Sequence, residues 1–326
     1  MERIFKCPNN SYVSVFKSAL LELQLHGMEV KPRGMLTKEI SPATLVVDPR
    51  KTIFPSPIRN LNWAFLFAEN LWYLSGRADT HLLSHYNSNI KNFSSDGLHD
   101  GAYGPKIVAQ IRYVIETLQK DPDSRQAIIS LWERNPRPSK DVPCTSLFQF
   151  MIRDGKLNMY VTMRSNDIIF GSNYDVPSFA LIQLVVASCL SIPAGELFHT
   201  ANSLHIYEQH FSLAEDLLNE ELPVFMRSIE LMEPQPLPLE EHVRQLDMVG
   251  AFESSIRHFS LLSVDRDKVD TLDPFYQQYI YVFLLYSSLK RKDNQTRDYC
   301  IEHLKAIRSP FGKLYAHKYG LSVITL

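Results

Sequence analysis

The feature that most constrains the fold is a pair of short apolar segments that flank the dipeptide Asp154-Gly155. Asp-Gly in this position is the strongest short-range signal for a two-residue β-hairpin, because both central residues of the favoured turn need a positive φ. Residues 146–152 and 156–163 are therefore predicted to be paired strands. The second strand alternates, so one face is expected in the core and the other could line a site. Its apolar residues are Leu157, Met159, Val161 and Met163, and its polar face carries Asn158, Tyr160 and Thr162.

Further predicted elements surround this hairpin. Apolar residues at helical spacing indicate a buried helix within 57–75. Pro177 is interpreted as the first residue of an apolar helix that runs to about Leu190, with Asp175 at its entrance. The remaining predicted elements are a strand over 126–132, a strand over 196–205 and a helix over 207–218.

The pattern changes in the last third of the chain. A proline-rich connector at 234–238 is followed by helical patterns over 239–264 and 274–291, without a second set of alternating strands. We therefore expect a core over residues 1–222 and a mostly helical C-terminal elaboration over 223–326 that packs on the same core.

Composition limits the class of partner. The net charge is -2 with acids and bases spread along the chain, so no nucleic-acid polymer is expected as a partner and any bound anion should be small. The four cysteines lack CxxC spacing and are expected to be reduced thiols, and no metal site is predicted. The longest apolar stretch, 179–190, is interrupted by polar residues and is too short for a bilayer, which predicts a cytoplasmic protein that does not enter a membrane.

Cys144 follows Pro143 at the entrance of the first hairpin strand. An isolated cysteine is most often a buried small hydrophobe. Here, however, the hairpin brings Arg164, at the far end of the second strand, close to Cys144, and a neighbouring guanidinium favours the nucleophilic thiolate. The residues alone allow both interpretations, a buried thiol and a nucleophile.

A cluster of polar residues follows the hairpin at 164–167 and 171–175. This composition fits an ordinary turn cluster, but the arginine at its start, beside the hydroxyl of Ser165, also suits a phosphate. His205 and Tyr207 end a predicted strand, where they could reach a sugar hydroxyl or serve as satisfied structural residues.

Six motifs occur in order along the chain. They are Glu69-Asn70-Leu71-Trp72-Tyr73-Leu74, Asp100-Gly101-Ala102-Tyr103-Gly104, Asp123-Ser124-Arg125, Pro143-Cys144, Arg164-Ser165-Asn166-Asp167 with Gly171, and His205-Ile206-Tyr207. Together they resemble the motifs of thymidylate synthase over roughly residues 10–215. The resemblance implies an α+β fold with a mixed sheet flanked by helices, a pyrimidine nucleoside monophosphate as substrate and an obligate homodimer.

The resemblance also implies a role for each matching residue. Cys144 would add to carbon 6 of the pyrimidine, and the resulting carbanion at carbon 5 would attack the methylene of 5,10-methylenetetrahydrofolate. Glu69 would be an acid/base group working through ordered water, and Tyr103 would help to remove the carbon-5 proton. The other matches would bind substrate: Arg33, Arg164 and Ser165 the phosphate, Arg125 the phosphate in the partner's site, Asp167 the base or folate side, and His205 and Tyr207 the ribose.

Asp175 departs from the family pattern, because uracil-specific members have an asparagine at this position. That amide accepts from the N3 proton of uracil and donates to oxygen 4, whereas cytosine presents an acceptor at N3 and a donor at its exocyclic amine. A protonated aspartic acid, or a carboxylate facing cytosine protonated at N3, satisfies cytosine, while an ionised carboxylate repels oxygen 4. Deoxycytidylate hydroxymethylases of this superfamily share the replacement. Asp175 is therefore predicted to select a cytidylate.

Other departures concern the product and the phosphate. Lys91 and Ser94 replace two tryptophans near the folate, and the loss of aromatic cover would admit water to the methylene, which favours a hydroxymethyl product. Thr145 and Met163 replace a histidine and a glutamine, and Gln126 replaces the second partner-subunit arginine. Phosphate binding is therefore expected to be weaker or arranged differently.

These observations lead to one hypothesis and two alternatives. The hypothesis is a homodimeric CMP or dCMP 5-hydroxymethyltransferase that uses 5,10-methylenetetrahydrofolate. One alternative is a 5-methyltransferase of thymidylate synthase type, which would also use the folate as reductant. The other is a catalytically silent nucleotide-binding relative. No residue type separates ribose from deoxyribose.

Overall fold

Two sheets organise the fold. The computed structural model describes residues 3–94, 96–133, 141–258 and 265–321. One sheet has six strands in the order β1-β4-β9-β7-β6-β5 and is mixed, and the other has four in the order β2-β3-β10-β8. The strands are β1 (Ile4–Lys6), β2 (Met28–Val30), β3 (Thr37–Ile40), β4 (Ala43–Val47), β5 (Ile128–Ser130), β6 (Thr145–Arg153), β7 (Lys156–Met163), β8 (Asn166–Asp167), β9 (Ala194–Ala201) and β10 (Leu204–Tyr207).

Helices flank both sheets, which confirms the predicted α+β class. They are α1 (Tyr12–His26), α2 (Trp63–Leu74), α3 (Thr80–Tyr86), α4 (Gly104–Lys120), α5 (Ser172–Leu190), α6 (Phe211–Asn219), α7 (Val224–Arg227), α8 (Leu239–His258), α9 (Arg266–Val269), α10 (Pro274–Arg291), α11 (Asn294–Ala306) and α12 (Pro310–Lys318). Helix α2 is buried, as predicted. It begins later than expected because the side chain of Asn62 accepts from the Ala64 and Phe65 amides and caps its start.

Strands β6 and β7 form the predicted hairpin. Asp154 and Gly155 have φ values of 51° and 70°, the positive values that a tight two-residue turn requires. The alternating apolar residues of β7 are buried, as predicted. The expectation for the polar face is wrong, because Tyr160 stacks on Phe198 with 4.7 Å between ring centroids and no residue of that face lines the cleft described below.

Helix α5 begins before Pro177, the residue predicted to start it. It starts at Ser172, so the proline lies inside the helix, where it removes one N–H donor. Asp175 consequently belongs to the first turn of α5. The helix is long and apolar enough to cross a membrane by length and composition, and 83% of its apolar window is buried inside the protein. A helix surrounded by protein in this way is typical of a core helix.

The strand predicted over 196–205 is two strands, β9 and β10, which belong to different sheets. Asn202 and Ser203 form the break. The Asn202 amide donates to the Met163 carbonyl at 2.8 Å, and the Ser203 carbonyl accepts from the Asn166 amide at 2.9 Å. The chain therefore crosses from one sheet to the other beside the end of β7 and the start of β8.

The C-terminal helices pack against the α2 region. The Tyr279 hydroxyl of α10 donates to Oδ1 of Asn70 in α2 at 2.6 Å, and the Tyr86 hydroxyl donates to the buried Glu253 of α8 at 3.0 Å. The predicted helix over 239–264 corresponds to α8, and its last residues, 259–264, lie outside the described residues. The first contact joins the last third of the chain to α2, the helix that carries Glu69, and the second joins it to α3.

Candidate active site

A cleft of about 1130 Å³ opens where β7, β8 and β10 end, next to the start of α5 and to α2. The cleft brings together residues that are far apart in the sequence. Those predicted as site residues and found on its wall are Arg33, Glu69, Tyr103, Cys144, Arg164, Ser165, Asp167, Asp175, His205 and Tyr207.

Cys144 lies directly before β6, and the hairpin places it beside Arg164. The Arg164 amide donates to the Cys144 carbonyl at 2.8 Å, and Nη2 of Arg164 is 3.6 Å from Sγ of Cys144. The guanidinium is fixed by donating to the carbonyls of Pro143 and Val142 at 2.9 and 3.0 Å. Burial raises the pKa of the Cys144 thiol, while Arg164 and Arg33 oppose that rise. The arginine favours the thiolate as expected, but burial outweighs it in the resting site.

Tyr103 lies next to this thiol. Its hydroxyl accepts a hydrogen bond from the Thr145 amide at 3.0 Å, and its ring stacks on Tyr73 with 5.4 Å between centroids. Burial, followed by the charge that Cys144 would carry, raises the pKa of Tyr103. The residue is therefore a neutral phenol whose own proton is available for a hydrogen bond to substrate or water.

Glu69 is the acid of α2 that faces the cleft. The Ser178 hydroxyl donates to its Oε2 at 3.3 Å. Burial, followed by the charge of Asp175, raises the pKa of Glu69 to about 8. A carboxyl group that holds a proton at pH 7 and loses it at a slightly higher pH is suited to act as a general acid and a general base.

Asp175 lies deep in the cleft, in the first turn of α5. Its Oδ2 accepts from Nδ2 of Asn166 at 2.6 Å, and its amide donates to the Gly171 carbonyl at 2.9 Å. Burial raises the pKa of Asp175 to about 7, although the Asn166 hydrogen bond opposes this. Both protonation states are therefore accessible near neutral pH.

The groups suited to a phosphate lie at the open end of the cleft. Arg33 is exposed and has φ of 54°, an uncommon conformation for a residue other than glycine and one often found at functional sites. Ser165 is half-buried and Arg164 is exposed. Arg125 does not line this cleft; it is exposed, and its carbonyl accepts from Gln149 Nε2 at 2.9 Å. One chain thus presents two arginines and a hydroxyl to an anion, with Arg125 on another surface.

Asp167 closes the turn after β8. Its Oδ1 accepts from the amides of Ile169 and Phe170 at 2.8 and 3.0 Å. Because these bonds fix the carboxylate at the cleft wall, Asp167 has a structural task as well as a place in the site.

His205 and Tyr207 line the cleft from β10, with 5.1 Å between their ring centroids. Nδ1 of His205 is 3.2 Å from the Ser203 carbonyl, which assigns the proton to Nδ1 and leaves Nε2 as an acceptor. Glu39 pairs with His205 across β3 and β10 and accepts from the Ser203 hydroxyl at 2.5 Å. Sequence reasoning missed Glu39, since nothing in β3 marks it.

The remaining wall is apolar and aromatic. Lys91 and Ser94 do not line the cleft; the Ser94 hydroxyl donates to the Lys91 carbonyl at 3.1 Å. Phe93 lies between them, lines the cleft and is 51% exposed. The predicted loss of aromatic cover is therefore only partial. The apolar wall, which fits a flat heteroaromatic ring, comprises Trp72, Leu83, Ile90 and Phe93.

Tyr73 is a second cleft residue that sequence reasoning missed. It is buried, and Glu69 and Tyr73 form a hydrogen bond that opposes the rise in the pKa of Glu69. The signal was present, because residues four apart on a helix lie on the same face. Within the described ranges, no group of three or more His, Cys, Asp or Glu side chains is arranged to hold a metal ion.

Comparison with known proteins adds to this geometry. Residues 15–241 match the family model described as thymidylate synthase. Over 262 residues the chain is 32% identical to a deoxyuridylate hydroxymethyltransferase of Bacillus phage SP01, and the alignment covers 70% of this chain and 67% of the phage protein. The family match includes every cleft residue from Arg33 to Tyr207.

Proposed function

The chain belongs to the thymidylate synthase family, and we propose that within this family of one-carbon transferases it is a cytidylate 5-hydroxymethyltransferase. The substrate would be CMP or dCMP, and the product would carry a hydroxymethyl group on carbon 5 of cytosine. The observation that carries the proposal is Asp175, a half-buried carboxyl group with a pKa raised to about 7, at the position where the uracil-specific pattern has an amide.

A carboxyl group of this kind suits cytosine for a physical reason. One proton shared between Asp175 and N3 of cytosine leaves the second carboxyl oxygen free to accept from the exocyclic amine. With uracil, an ionised Asp175 would instead face oxygen 4. Both the carboxylate and oxygen 4 are hydrogen-bond acceptors, so the pairing would be unfavourable away from solvent. The name of the phage relative refers to deoxyuridylate, so uridylates are the competing substrates that have to be tested.

Three side chains of the cleft would act on different atoms of the pyrimidine. Sγ of Cys144 forms a bond to carbon 6, and its proton passes to solvent or to a neighbouring base. The charges of Arg164 and Arg33 favour the thiolate that makes this attack. Glu69, protonated at neutral pH, supplies a proton to the ring as electron density moves onto it. Tyr103 would help to remove the carbon-5 proton through its hydroxyl, next to the Thr145 amide.

The one-carbon donor that the family implies is 5,10-methylenetetrahydrofolate, which supplies carbon at the oxidation level of formaldehyde. The apolar wall around Trp72 and Phe93 fits its ring system. Capture of the carbon-5 methylene by water would leave a hydroxymethyl group, with tetrahydrofolate released and no folate oxidised. A methyltransferase would instead consume the folate as reductant and release dihydrofolate.

A homodimer is part of the proposal. The face of the six-stranded sheet that points away from α5 carries half-buried side chains, among them Gln149, Tyr160, Phe198 and Thr200. Such a face is suited to packing against its own copy. Arg125, which lies outside its own cleft, would then add a positive charge to the phosphate site of the partner.

The test is a side-by-side assay of CMP, dCMP, UMP and dUMP with the folate donor. The reaction is monitored by the release of tritium from carbon 5 of each nucleotide. Preference for a cytidylate with tetrahydrofolate as co-product is the expected result. Preference for a uridylate would overturn the assignment of a cytidylate substrate. Dihydrofolate as co-product would favour the 5-methyltransferase. Absence of tritium release from all four nucleotides would favour a catalytically silent relative.

Asp175→Asn sharpens that assay. The replacement keeps the volume but supplies an amide, so relative efficiency should move toward uridylate by roughly ten to a hundredfold, since a mismatched buried polar pair costs about 1–3 kcal/mol. An unchanged base preference in this variant would mean either that residue 175 does not face the pyrimidine edge or that the Nδ2 donor of Asn166 holds the new amide in the same order of donor and acceptor, and adding Asn166→Ala to the variant separates the two.

A further inference from the structure

A neutral carboxyl group does not by itself choose between the two bases. It carries one donor and one acceptor, as an amide does, and can pair with cytosine or with uracil depending on which oxygen holds the proton. Cytosine requires the proton on the oxygen that faces N3, and uracil requires it on the oxygen that faces oxygen 4. Selection by Asp175 therefore needs a neighbour that fixes the proton on one oxygen.

Asn166 is placed to do this, because its amide can lie in only one orientation. The side chain is 3% exposed. Its Oδ1 accepts from the Ser172 hydroxyl and lies 3.1 Å from Nε2 of His199, so reversing the amide would set its NH₂ group against these donors. Its Nδ2 consequently points at Oδ2 of Asp175, 2.6 Å away.

His199 acts as a neutral donor in this arrangement. The ring is fully buried, and burial lowers the pKa of His199 to about 3. A proton on Nδ1 would be buried without a partner among the described residues, so the single ring proton belongs on Nε2, which faces Oδ1 of Asn166. Nδ1 has no hydrogen-bond partner among the residues that the structure describes, and an acceptor nitrogen without its proton is the form that fits this place.

The backbone leaves room for the contact between Asn166 and Asp175. Asn166 is fixed in β8, which pairs with β10 through Leu204. A Cβ added at Gly171 would come within 3.0 Å of Asn166 Nδ2 and 3.2 Å of Asp175 Oδ2. Gly171 is therefore needed for the close approach of these two side chains.

We propose that Asn166, oriented by Ser172 and His199, is the positioning residue that gives Asp175 its preference for cytosine. The proposal rests on the proposed function. An N–H bond to Oδ2 makes that oxygen the carbonyl-like acceptor and favours the proton on Oδ1. Asp175 then presents one fixed order of donor and acceptor, which matches cytosine when Oδ1 faces N3.

Other titratable groups also act on Asp175. Asp167, in the turn after β8, raises the pKa of Asp175 through its charge. The charge of Asp175 in turn raises the pKa of five groups on other elements, which are Tyr12, Glu69, Tyr73, Tyr103 and Cys144. None of these groups donates to the carboxyl group in the described chain, so the hydrogen bond from Asn166 is the contact that distinguishes its two oxygens.

The experiment compares Asn166→Ala with Ser172→Ala, and uses Asn173→Ala as a matched control. Asn173 is a neighbouring buried asparagine with its own hydrogen bonds, to Tyr12 and Ile169. Carbon-5 tritium release is measured with CMP and UMP from pH 6 to 9. The preference for CMP should fall roughly tenfold in Asn166→Ala and about threefold in Ser172→Ala, and remain unchanged in the control.

The pH profile separates positioning from a merely structural role. The Asn166 hydrogen bond lowers the pKa of Asp175, so its loss should move the alkaline fall in CMP activity to higher pH. A wild-type enzyme without preference for cytidylate would overturn the proposed function itself. Wild-type preference that persists in Asn166→Ala, with the pH profile of the control, would overturn this inference alone. Should Asn166→Ala fail to fold, an unchanged preference and profile in Ser172→Ala would overturn it.

Discussion

The two ends of the cleft are built differently. At the base end, Glu69 and Asp175 are half-buried, hydrogen-bonded and shifted in pKa by that burial. At the phosphate end, Arg33 and Arg164 are exposed, and only one of them has its guanidinium bound to the backbone. Burial makes a mismatched contact costly, whereas exposed charges are screened and tolerant. The base end is therefore suited to discrimination, and the phosphate end to capture.

Removal of the nucleophile should have the largest effect. Cys144→Ala should lower tritium release from carbon 5 by about a thousandfold or more, because no bond to carbon 6 can form. Nucleotide binding should survive, since the phosphate end is intact, and this can be measured by equilibrium dialysis with CMP. Turnover at the wild-type rate would disprove the role of Cys144 and the difference between the two ends.

Completion of the phosphate end by a partner can be tested by mixing two inactive variants. In a heterodimer of Arg125→Ala and Cys144→Ala subunits, both defects fall in one site and the other site is intact. Random exchange should restore about a quarter of wild-type activity, since half of the dimers would be mixed and each would have one working site. If mixed dimers form, as mass spectrometry can verify, and no activity returns, Arg125 acts elsewhere.

The smallest expected effect is the dependence of the base end on pH. Asp175 has a pKa of about 7, so the form that pairs with neutral cytosine declines above this pH. Efficiency with CMP should fall by about tenfold per pH unit on the alkaline side. Asp175→Asn should lose this limb and retain the one that belongs to Glu69, with a pKa of about 8. Identical pH profiles for the wild-type protein and Asp175→Asn would mean that another group causes the fall in activity above pH 7.

Local signals predicted part of this molecule well. The Asp154-Gly155 turn fixed the hairpin, and the hairpin placed Arg164 beside Cys144. The break at Asn202 was missed because hydrogen bonds to distant strands determine it. Pro177 misled the prediction of α5, since a proline early in a buried helix looks like its first residue.

The sequence predicted many of the residues that line the cleft, but not the hydrogen bonds that connect them. Cleft residues such as Cys144 and Asp175 were found through motifs, which name positions in the chain. The link from His199 through Asn166 to Asp175 depends on β8 lying beside β10 and on α5 starting at Ser172. No spacing in the sequence specifies that three-dimensional neighbourhood.

The two half-buried acids of the cleft also connect the site to the folding equilibrium. Asp175 and Glu69 have pKa values of about 7 and 8 in the folded chain, against ordinary values of 3.8 and 4.5. Between these limits the folded protein retains protons that the unfolded chain has released, so unfolding is accompanied by proton release. The free energy of unfolding contributed by these groups therefore falls as the pH rises through that window. The ligand-free enzyme should melt at a higher temperature in mildly acidic buffer than in alkaline buffer, and a bound cytidylate that shares the Asp175 proton would enlarge that difference, because it binds the protonated form.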